Sequence, residues 1–203
     1  MRSTAAPGDS RAEGMADRAS AMKTPIGRRR WLQYLAGSAI VVAMGPGQAG
    51  APLNWPDVKA RIRSRYPAVP QLSVSALRDW LRDSTRAPPL LLDVRTPEEF
   101  ADGHIEGAVR VDSVGEALQR LRLQPAGVSV VLYCSVGRRS SALADRLLAR
   151  GTRSIYNLEG SLFEWANEGQ PVAASDGRTG KVHPYDREWG VLLRRELWSR
   201  EPQ

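Results

Sequence analysis

Short apolar runs recur along the middle of the chain, and most of them follow a proline or a glycine. They cover residues 90–94, 108–111, 128–133 and 155–156, and the strongest of them is 128–133. A short apolar run between turn-forming residues is typical of a strand that is buried on both faces of a sheet. The pattern therefore predicts at least four strands of a buried sheet.

The segments between these runs carry apolar residues three and four positions apart, which is the spacing of an amphipathic helix. Thr96, Pro97 and Glu99 add a capping box, a side-chain motif that begins a helix. The predicted helices cover residues 55–66, 74–83, 97–102, 113–121, 140–150 and 161–167. Strands that alternate with helices predict an α/β fold, with a parallel sheet and helices on both faces.

The last thirty residues differ from this pattern. Residues 173–180 are small and polar and predict a linker. From Lys181 onward the large apolar residues return at helix-like spacing: Trp189, Leu192, Leu193, Leu197 and Trp198. This spacing predicts a C-terminal helical tail that packs back on the domain, and the alternative is a helix that docks a partner.

The N-terminal region has the pattern of an export signal. Three arginines, Arg28 to Arg30, precede 14 mostly apolar residues, Trp31–Met44, and the small residues 45–51 follow. As a helix, 14 residues rise about 21 Å, less than the roughly 30 Å of a bilayer core. The stretch Gly27–Gln33 resembles the twin-arginine motif, so the export machinery is an expected partner. We expect cleavage near residues 49–51 and a periplasmic or otherwise exported protein; a retained membrane anchor and a buried core helix are the alternatives.

These patterns divide the chain into four parts. Residues 1–50 form an N-terminus that is expected to be disordered, together with the export signal, and 51–70 form a helical lead-in. Residues 71–173 form the α/β domain, and 174–203 form the linker and the tail. A start at Met22 would give a compact signal, and N-terminal sequencing of the unprocessed precursor tests that hypothesis.

Composition and charge exclude two classes of protein. A mean hydropathy of -0.38 and 6% aromatic residues are not those of a polytopic membrane protein. The formal net charge of the 203 residues is +7, but residues 1–50 hold seven basic and three acidic groups and so carry +4. The remaining +3 is spread without a long basic run, so we expect no nucleic-acid partner.

The chain contains one cysteine, Cys134, and two histidines, His104 and His183. One cysteine excludes an intramolecular disulfide and a multi-cysteine metal site. No pair of histidines has the spacing of a helical metal site, so we expect neither a metal nor a cofactor.

Cys134 stands where an α/β protein places a nucleophile. It follows the strand 128–133 and precedes Ser135, Val136, Gly137, Arg138 and Arg139, after which a helix begins. Backbone amides at a helix start, a glycine that lets the loop curl and two arginines all stabilise a thiolate over a thiol. An inert buried cysteine is the alternative. Neither histidine lies in a motif that supplies a general base, so a Cys–His hydrolase is not expected.

Four motifs occur in order along the chain: LLDVRTPEEF at 91–100, GHIEGA at 103–108, CSVGRRS at 134–140, and LEG at 158–160 with Trp165. Together they resemble a single-domain rhodanese over residues 72–172. The resemblance implies a sulfurtransferase with a rhodanese-like parallel sheet. It implies that the cysteine takes sulfane sulfur from a donor such as thiosulfate, becomes a persulfide and passes the sulfur to cyanide or a thiol.

The resemblance also implies roles for single residues. Cys134 is the catalytic residue, and Ser135, Val136, Gly137, Arg138 and Arg139 form the cradle that binds the small anionic donor. Asp93 and Arg95 match a buried structural element, and His104 is expected to be structural. Some members carry an arginine where this chain has Ser135, which leaves the natural donor open. The rhodanese-like phosphatases place an arginine six positions after the cysteine, where this chain has Ser140. A binding or persulfide-carrier module without turnover is the alternative, and the oligomeric state is not predicted.

Overall fold

The structure is a computed structural model that describes residues 52–202. The predicted export signal, its cleavage region and the proposed start at Met22 lie outside the described residues. Within them, no helix combines the length and the apolar character that crossing a membrane requires.

The strands form one five-stranded parallel sheet, which confirms the predicted fold class. The strands are β1 (Gln71–Leu72), β2 (Leu90–Asp93), β3 (Val109–Arg110), β4 (Val130–Tyr133) and β5 (Ile155–Leu158), in the order β1-β5-β4-β2-β3. All neighbouring pairs are parallel, and β4 lies in the centre with every residue buried. The two-residue strand β1 was not predicted, because two residues are too few to give a periodic signal.

Helices cover both faces of this sheet, as predicted. They are α1 (Trp55–Arg65), α2 (Val74–Arg82), α3 (Pro97–Asp102), α4 (Val114–Arg122), α5 (Arg138–Leu148), α6 (Ser161–Asn167) and the short α7 (Arg187–Gly190). The alternation of side chains along β4 separates two cores. Val131 and Tyr133 belong to the core with α1, α2, α6 and the tail, whereas Val130 and Leu132 belong to the core with α4 and α5.

A buried ion pair lies at the end of β2, where the sequence predicted a structural element. The Arg95 guanidinium donates to both carboxylate oxygens of Asp93 at 2.6–3.0 Å and to the Gly103 carbonyl at 2.6 Å. Both side chains are fully buried. Asp93 pairs with Tyr133 across the sheet, one residue before Cys134, so the ion pair supports the strand end that carries the cysteine.

The C-terminal tail packs back on the domain, as predicted, but it is not one continuous helix. Leu192 and Leu193 are buried in the core, and the helical parts are α7 and a 3₁₀ turn at Arg195–Leu197. Asn167 of α6 donates to the Leu192 carbonyl at 2.8 Å and accepts from the Arg194 amide at 2.9 Å. In a continuous helix, this carbonyl and this amide would instead form hydrogen bonds with other backbone groups of the same helix.

Candidate active site

Cys134 directly follows the central strand β4, and α5 begins four residues later at Arg138. The connecting loop is therefore shorter than predicted, because Arg138 and Arg139 form the first turn of α5. Gly137 has a φ of 104°, which favours glycine, and a Cβ there would lie 3.2 Å from the Asn157 side-chain nitrogen. The curl of the loop turns the Gly137 amide toward the cysteine.

The loop is anchored by the start of α6. The Leu162 amide donates to the Cys134 carbonyl at 3.1 Å, and the Phe163 amide donates to the Ser135 carbonyl at 3.0 Å. The Cys134 amide donates to the Ser161 hydroxyl at 3.2 Å. Both ends of the cysteine backbone are thus held, which fixes the direction of its side chain.

Cys134 is 1% exposed, yet the surroundings of its sulfur favour the thiolate. The Gly137 amide donates to the sulfur at 3.2 Å. Burial opposes ionisation, but the nearby charge of Arg139 and the amides of Ser140 and Gly137 outweigh it and lower the pKa of Cys134 below its usual value. These contacts favour a reactive cysteine over the alternative of an inert cysteine in apolar packing.

Arg139 is held by a buried carboxylate, that of Glu99. Two guanidinium nitrogens of Arg139 donate to the two Glu99 oxygens at 2.8 and 2.6 Å. Burial opposes ionisation of Glu99, but its bonds to Arg139 and the Thr96 amide keep its pKa at about 2. Glu99 accepts from the Thr96 amide as the predicted capping box requires, and it also fixes Arg139 beside the sulfur.

The other predicted cradle residues differ in burial and in their contacts with the cysteine. The Ser135 hydroxyl is buried; it donates to Glu99 at 3.1 Å and accepts from Arg139 at 3.0 Å. Its side chain therefore supports Arg139. Val136 lines the pocket with the cysteine, and Arg138 is exposed at its edge. Ser140, six positions after the cysteine, donates to Asn157 at 2.6 Å.

The sulfur lies at a cavity of about 60 Å³, here called the sulfur pocket. It is lined by Cys134, Ser135, Val136, Arg138, Arg139, Tyr185 and Trp189. The two aromatic residues come from the C-terminal tail, and the Tyr185 ring lies 5.0 Å from the Arg139 guanidinium. Tyr185 has a φ of 70°, a conformation that costs a non-glycine residue energy.

Three residues of this site, Glu99, Tyr185 and Trp189, were not predicted as site residues. Glu99 was predicted only as a helix cap, and Trp189 only as part of a packed tail. The one signal available for Glu99 is that α3 follows β2, the strand beside β4, so its first turn lies at the same sheet edge as Cys134. Nothing in the local sequence signals the position of the tail residues.

Neither histidine lines the sulfur pocket. His104 stacks on Phe100 at 3.9 Å and its Nδ1 lies 2.9 Å from the Phe100 carbonyl oxygen, which fits the predicted structural role. His183 accepts from the Tyr185 amide at 3.0 Å. Among residues 52–202, no group of three or more His, Cys, Asp or Glu side chains has the arrangement of a metal site.

A parallel α/β sheet with a cysteine directly after its central strand defines a class, the α/β proteins with a candidate site at the carboxyl edge of the sheet. The family profile described as Rhodanese-like domain matches residues 74–168. A sulfurtransferase of Allochromatium vinosum is 34% identical over 88 residues, which are 43% of this chain and 81% of that protein. The chain therefore belongs to the rhodanese-like family.

Two further relatives extend the comparison. A tRNA uridine(34) hydroxylase of Xanthomonas oryzae is 30% identical over 149 residues; the match covers 70% of this chain and 55% of that protein. The chain thus spans about half the length of that relative. The crystal structure of a thiosulfate sulfurtransferase from Pseudomonas aeruginosa has a TM-score of 0.51 and 22% identity, over 64% of this chain and 25% of that chain. This likeness shows the fold.

Proposed function

We propose that the protein is a sulfurtransferase that carries sulfane sulfur on Cys134 as a persulfide. The observation that carries this proposal is the sulfur environment: a backbone amide at 3.2 Å, an adjacent guanidinium and a lowered pKa. A thiolate is the reactive form of cysteine, and this chemistry needs no general base. The family membership and the sulfurtransferase relative support the same reaction class.

With thiosulfate as donor, the Cys134 thiolate attacks the outer sulfur. A new S–S bond forms, the old S–S bond breaks, and sulfite leaves with the electron pair. With cyanide as acceptor, the carbon attacks the outer sulfur of the persulfide, thiocyanate leaves, and the thiolate is regenerated. Both steps are two-electron displacements between anions, so positive charge at the site lowers the repulsion that opposes them.

The cradle residues have different roles in sulfur transfer. The Gly137 amide points at the sulfur and would stabilise the persulfide anion, whose outer sulfur the sulfur pocket has room to hold. Arg139 keeps a positive charge beside it, and Arg138 attracts anionic donors at the entrance. The Ser135 hydroxyl is already bonded to Glu99 and Arg139, so we assign it to the support of Arg139.

The direct test is the mass of the intact protein after incubation with thiosulfate, a polysulfide or a low-molecular-weight persulfide. We expect a product heavier by one sulfur atom, removed by cyanide and absent from Cys134→Ser. The serine variant keeps the shape of the site and removes the nucleophile. Failure of all three donors to modify a folded protein would contradict the proposal.

A second candidate is a persulfide carrier or binding module without small-molecule turnover. The 1% exposure of Cys134 favours it, because a recessed side chain limits access. This candidate predicts that thiosulfate, a polysulfide and a low-molecular-weight persulfide all fail to add a sulfur atom to the folded protein. A hydroxylation reaction like that of the tRNA uridine(34) hydroxylase relative would leave the mass of the protein unchanged.

We further propose that the protein acts outside the cytoplasm, because the pattern of residues 27–51 is that of an export signal. In a bacterial host with a twin-arginine translocase, we expect Arg29→Lys/Arg30→Lys to retain the protein in the cytoplasm. The matched control is Arg122→Lys/Arg153→Lys, a change at two exposed arginines that lie outside the export signal. Equal amounts of both variants in the periplasmic fraction would show that export does not depend on the twin-arginine motif. Absence of the wild-type protein from that fraction would contradict this proposal.

A further inference from the structure

A larger cavity of about 410 Å³ adjoins the sulfur pocket. The two cavities share Arg138 and Trp189 as lining residues. We call the larger one the basic groove; its other lining residues include Val58, Arg61, Ile62 and Arg65 of α1. Its volume lies in the range of small-molecule sites, and it opens beside the cysteine.

The helix α1 is attached to the rest of the domain by ion pairs and by an apolar contact. Lys59 pairs with Glu164 at 2.6 Å and Arg63 pairs with Glu159 at 2.7 Å, which ties α1 to β5 and α6. Ile62 lies against the loop that connects Cys134 to α5, since a Cβ on Gly137 would be 3.6 Å from the Ile62 Cδ1. Contacts on both sides thus fix the position of α1, and with it the groove.

Arg61 and Arg65 are the charged residues of α1 that the groove uses. They are four residues apart, so their side chains are neighbours on the helix, and like charges at this spacing destabilise it. Within residues 52–202 neither forms an ion pair, and neither does Arg138. Asp57 precedes Arg61 by four residues, but its carboxylate accepts from the side-chain amide of Asn54, the residue that caps the helix. Three guanidinium groups therefore surround one cavity, and none of the lining residues in the described part of the chain is acidic.

We infer that the basic groove binds the carboxylates of an anionic thiol, or of its persulfide, while the sulfur of that ligand enters the sulfur pocket. This inference rests on the proposed sulfur transfer and names the class of donor and acceptor that the site selects. Guanidinium groups bind carboxylates through paired hydrogen bonds. The apolar side chains of Val58, Ile62 and Trp189 suit the carbon skeleton of such a ligand.

One groove serves both directions of transfer. In loading, the Cys134 thiolate attacks the outer sulfur of a persulfide RSS⁻; the S–S bond of the donor breaks and the thiolate RS⁻ leaves. In discharge, a thiolate RS⁻ attacks the outer sulfur of the enzyme persulfide, and the Cys134 thiolate leaves. The molecule that leaves in the first step and the one that attacks in the second belong to the same chemical class. A site that holds its carboxylates therefore favours both steps.

The test compares two thiols of similar size, mercaptosuccinate with two carboxylates and monothioglycerol with none. The enzyme is first loaded with sulfur by polysulfide, and the discharge of the persulfide is followed by intact mass. The ratio of kcat/KM for mercaptosuccinate to that for monothioglycerol measures the preference for carboxylates. In Arg61→Gln/Arg65→Gln we expect this ratio to fall about tenfold, through KM, and the difference to shrink at high salt.

The matched control is Arg122→Gln/Arg153→Gln, which removes the same charge from exposed arginines that line neither cavity. We expect the control to keep the wild-type ratio. An unchanged ratio in Arg61→Gln/Arg65→Gln, or an equal fall in the control, would overturn the inference while sulfur transfer itself stands. An enzyme that no donor can load would instead overturn the proposed function. The persulfides of the same two thiols, used as donors, test the loading direction and are expected to give the same order of preference.

Discussion

Arg139→Gln is expected to lower kcat/KM for sulfur transfer about a hundredfold at pH 7. The charge of Arg139 opposes the effect of burial on the Cys134 thiol, so its removal leaves burial dominant. An adjacent opposite charge shifts a pKa by about one to three units, and each unit changes the thiolate fraction tenfold once the pH lies below the pKa.

The loss of kcat/KM in Arg139→Gln should depend on pH in a defined direction. The thiolate reacts, so activity is lost as the pH falls through the pKa of Cys134. In Arg139→Gln that pKa rises, and the acid limb of the kcat/KM profile moves to higher pH. The loss should therefore be large near neutral pH and become smaller as the medium is made alkaline. The rate of alkylation by iodoacetamide, measured against pH, reports the same ionisation without a donor.

Removal of Arg139 also leaves the Glu99 carboxylate buried without its partner. The double variant Glu99→Gln/Arg139→Gln separates this effect from the loss of the positive charge. We expect it to recover part of the lost activity, and Arg139→Lys to recover part as well, because lysine keeps the charge but not the paired bonds. An alkylation profile in Arg139→Gln that equals the wild-type profile would show that Arg139 does not stabilise the thiolate.

Asp93→Ala is expected to destabilise the protein by about 3–5 kcal/mol. The wild-type Arg95 guanidinium is fully buried and donates to Asp93 and to the Gly103 carbonyl. After the substitution, only the Gly103 carbonyl of these two partners remains. A buried charge without a counter-ion is far more costly than the pair itself is stabilising. The urea midpoint of unfolding, measured at constant m-value, gives the free-energy change.

The chain contains a matched control for this prediction. Asp176 and Arg178 have the same spacing as Asp93 and Arg95 and form an ion pair at 2.5 Å, but their side chains are 49% and 82% exposed. We expect Asp176→Ala to leave the urea midpoint close to that of the wild-type protein, because an exposed ion pair contributes little to stability. Equal effects of the two substitutions would contradict the role assigned to burial. Asp93→Ala/Arg95→Met should be less destabilised than Asp93→Ala, since the charge is removed as well.

The sequence allowed the fold class and the position of Cys134 at the end of a strand to be predicted, because both depend on local patterns. Apolar runs mark buried strands, helical spacing marks the helices, and the order of the two implies a parallel sheet. Cys134 follows the strongest run, so its position at the carboxyl edge needs no knowledge of distant residues. The capping box at Thr96 was predicted for the same reason, since its partners are three residues apart.

The surroundings of the cysteine could not be predicted in this way. Glu99 meets Arg139 across 40 positions, and Tyr185 reaches the same arginine from the tail. Such contacts depend on the relative positions of α3, α5 and the tail, which no local pattern encodes. The apolar residues of the tail have helix-like spacing, but the Asn167 side chain forms hydrogen bonds with the Leu192 carbonyl and the Arg194 amide, which interrupts a helix there. Its apolar residues are therefore buried by short turns.

The recessed sulfur also determines how the protein withstands oxidation. A disulfide between two copies would require their cysteine Cα atoms to come within about 7 Å. Cys134 lies at the end of a buried strand in a pocket walled by Tyr185 and Trp189, so two folded copies do not reach this separation. Oxidation is thereby restricted to small reagents, which convert the thiolate to sulfenic acid. Storage without a reductant should inactivate the protein without joining it into covalent dimers.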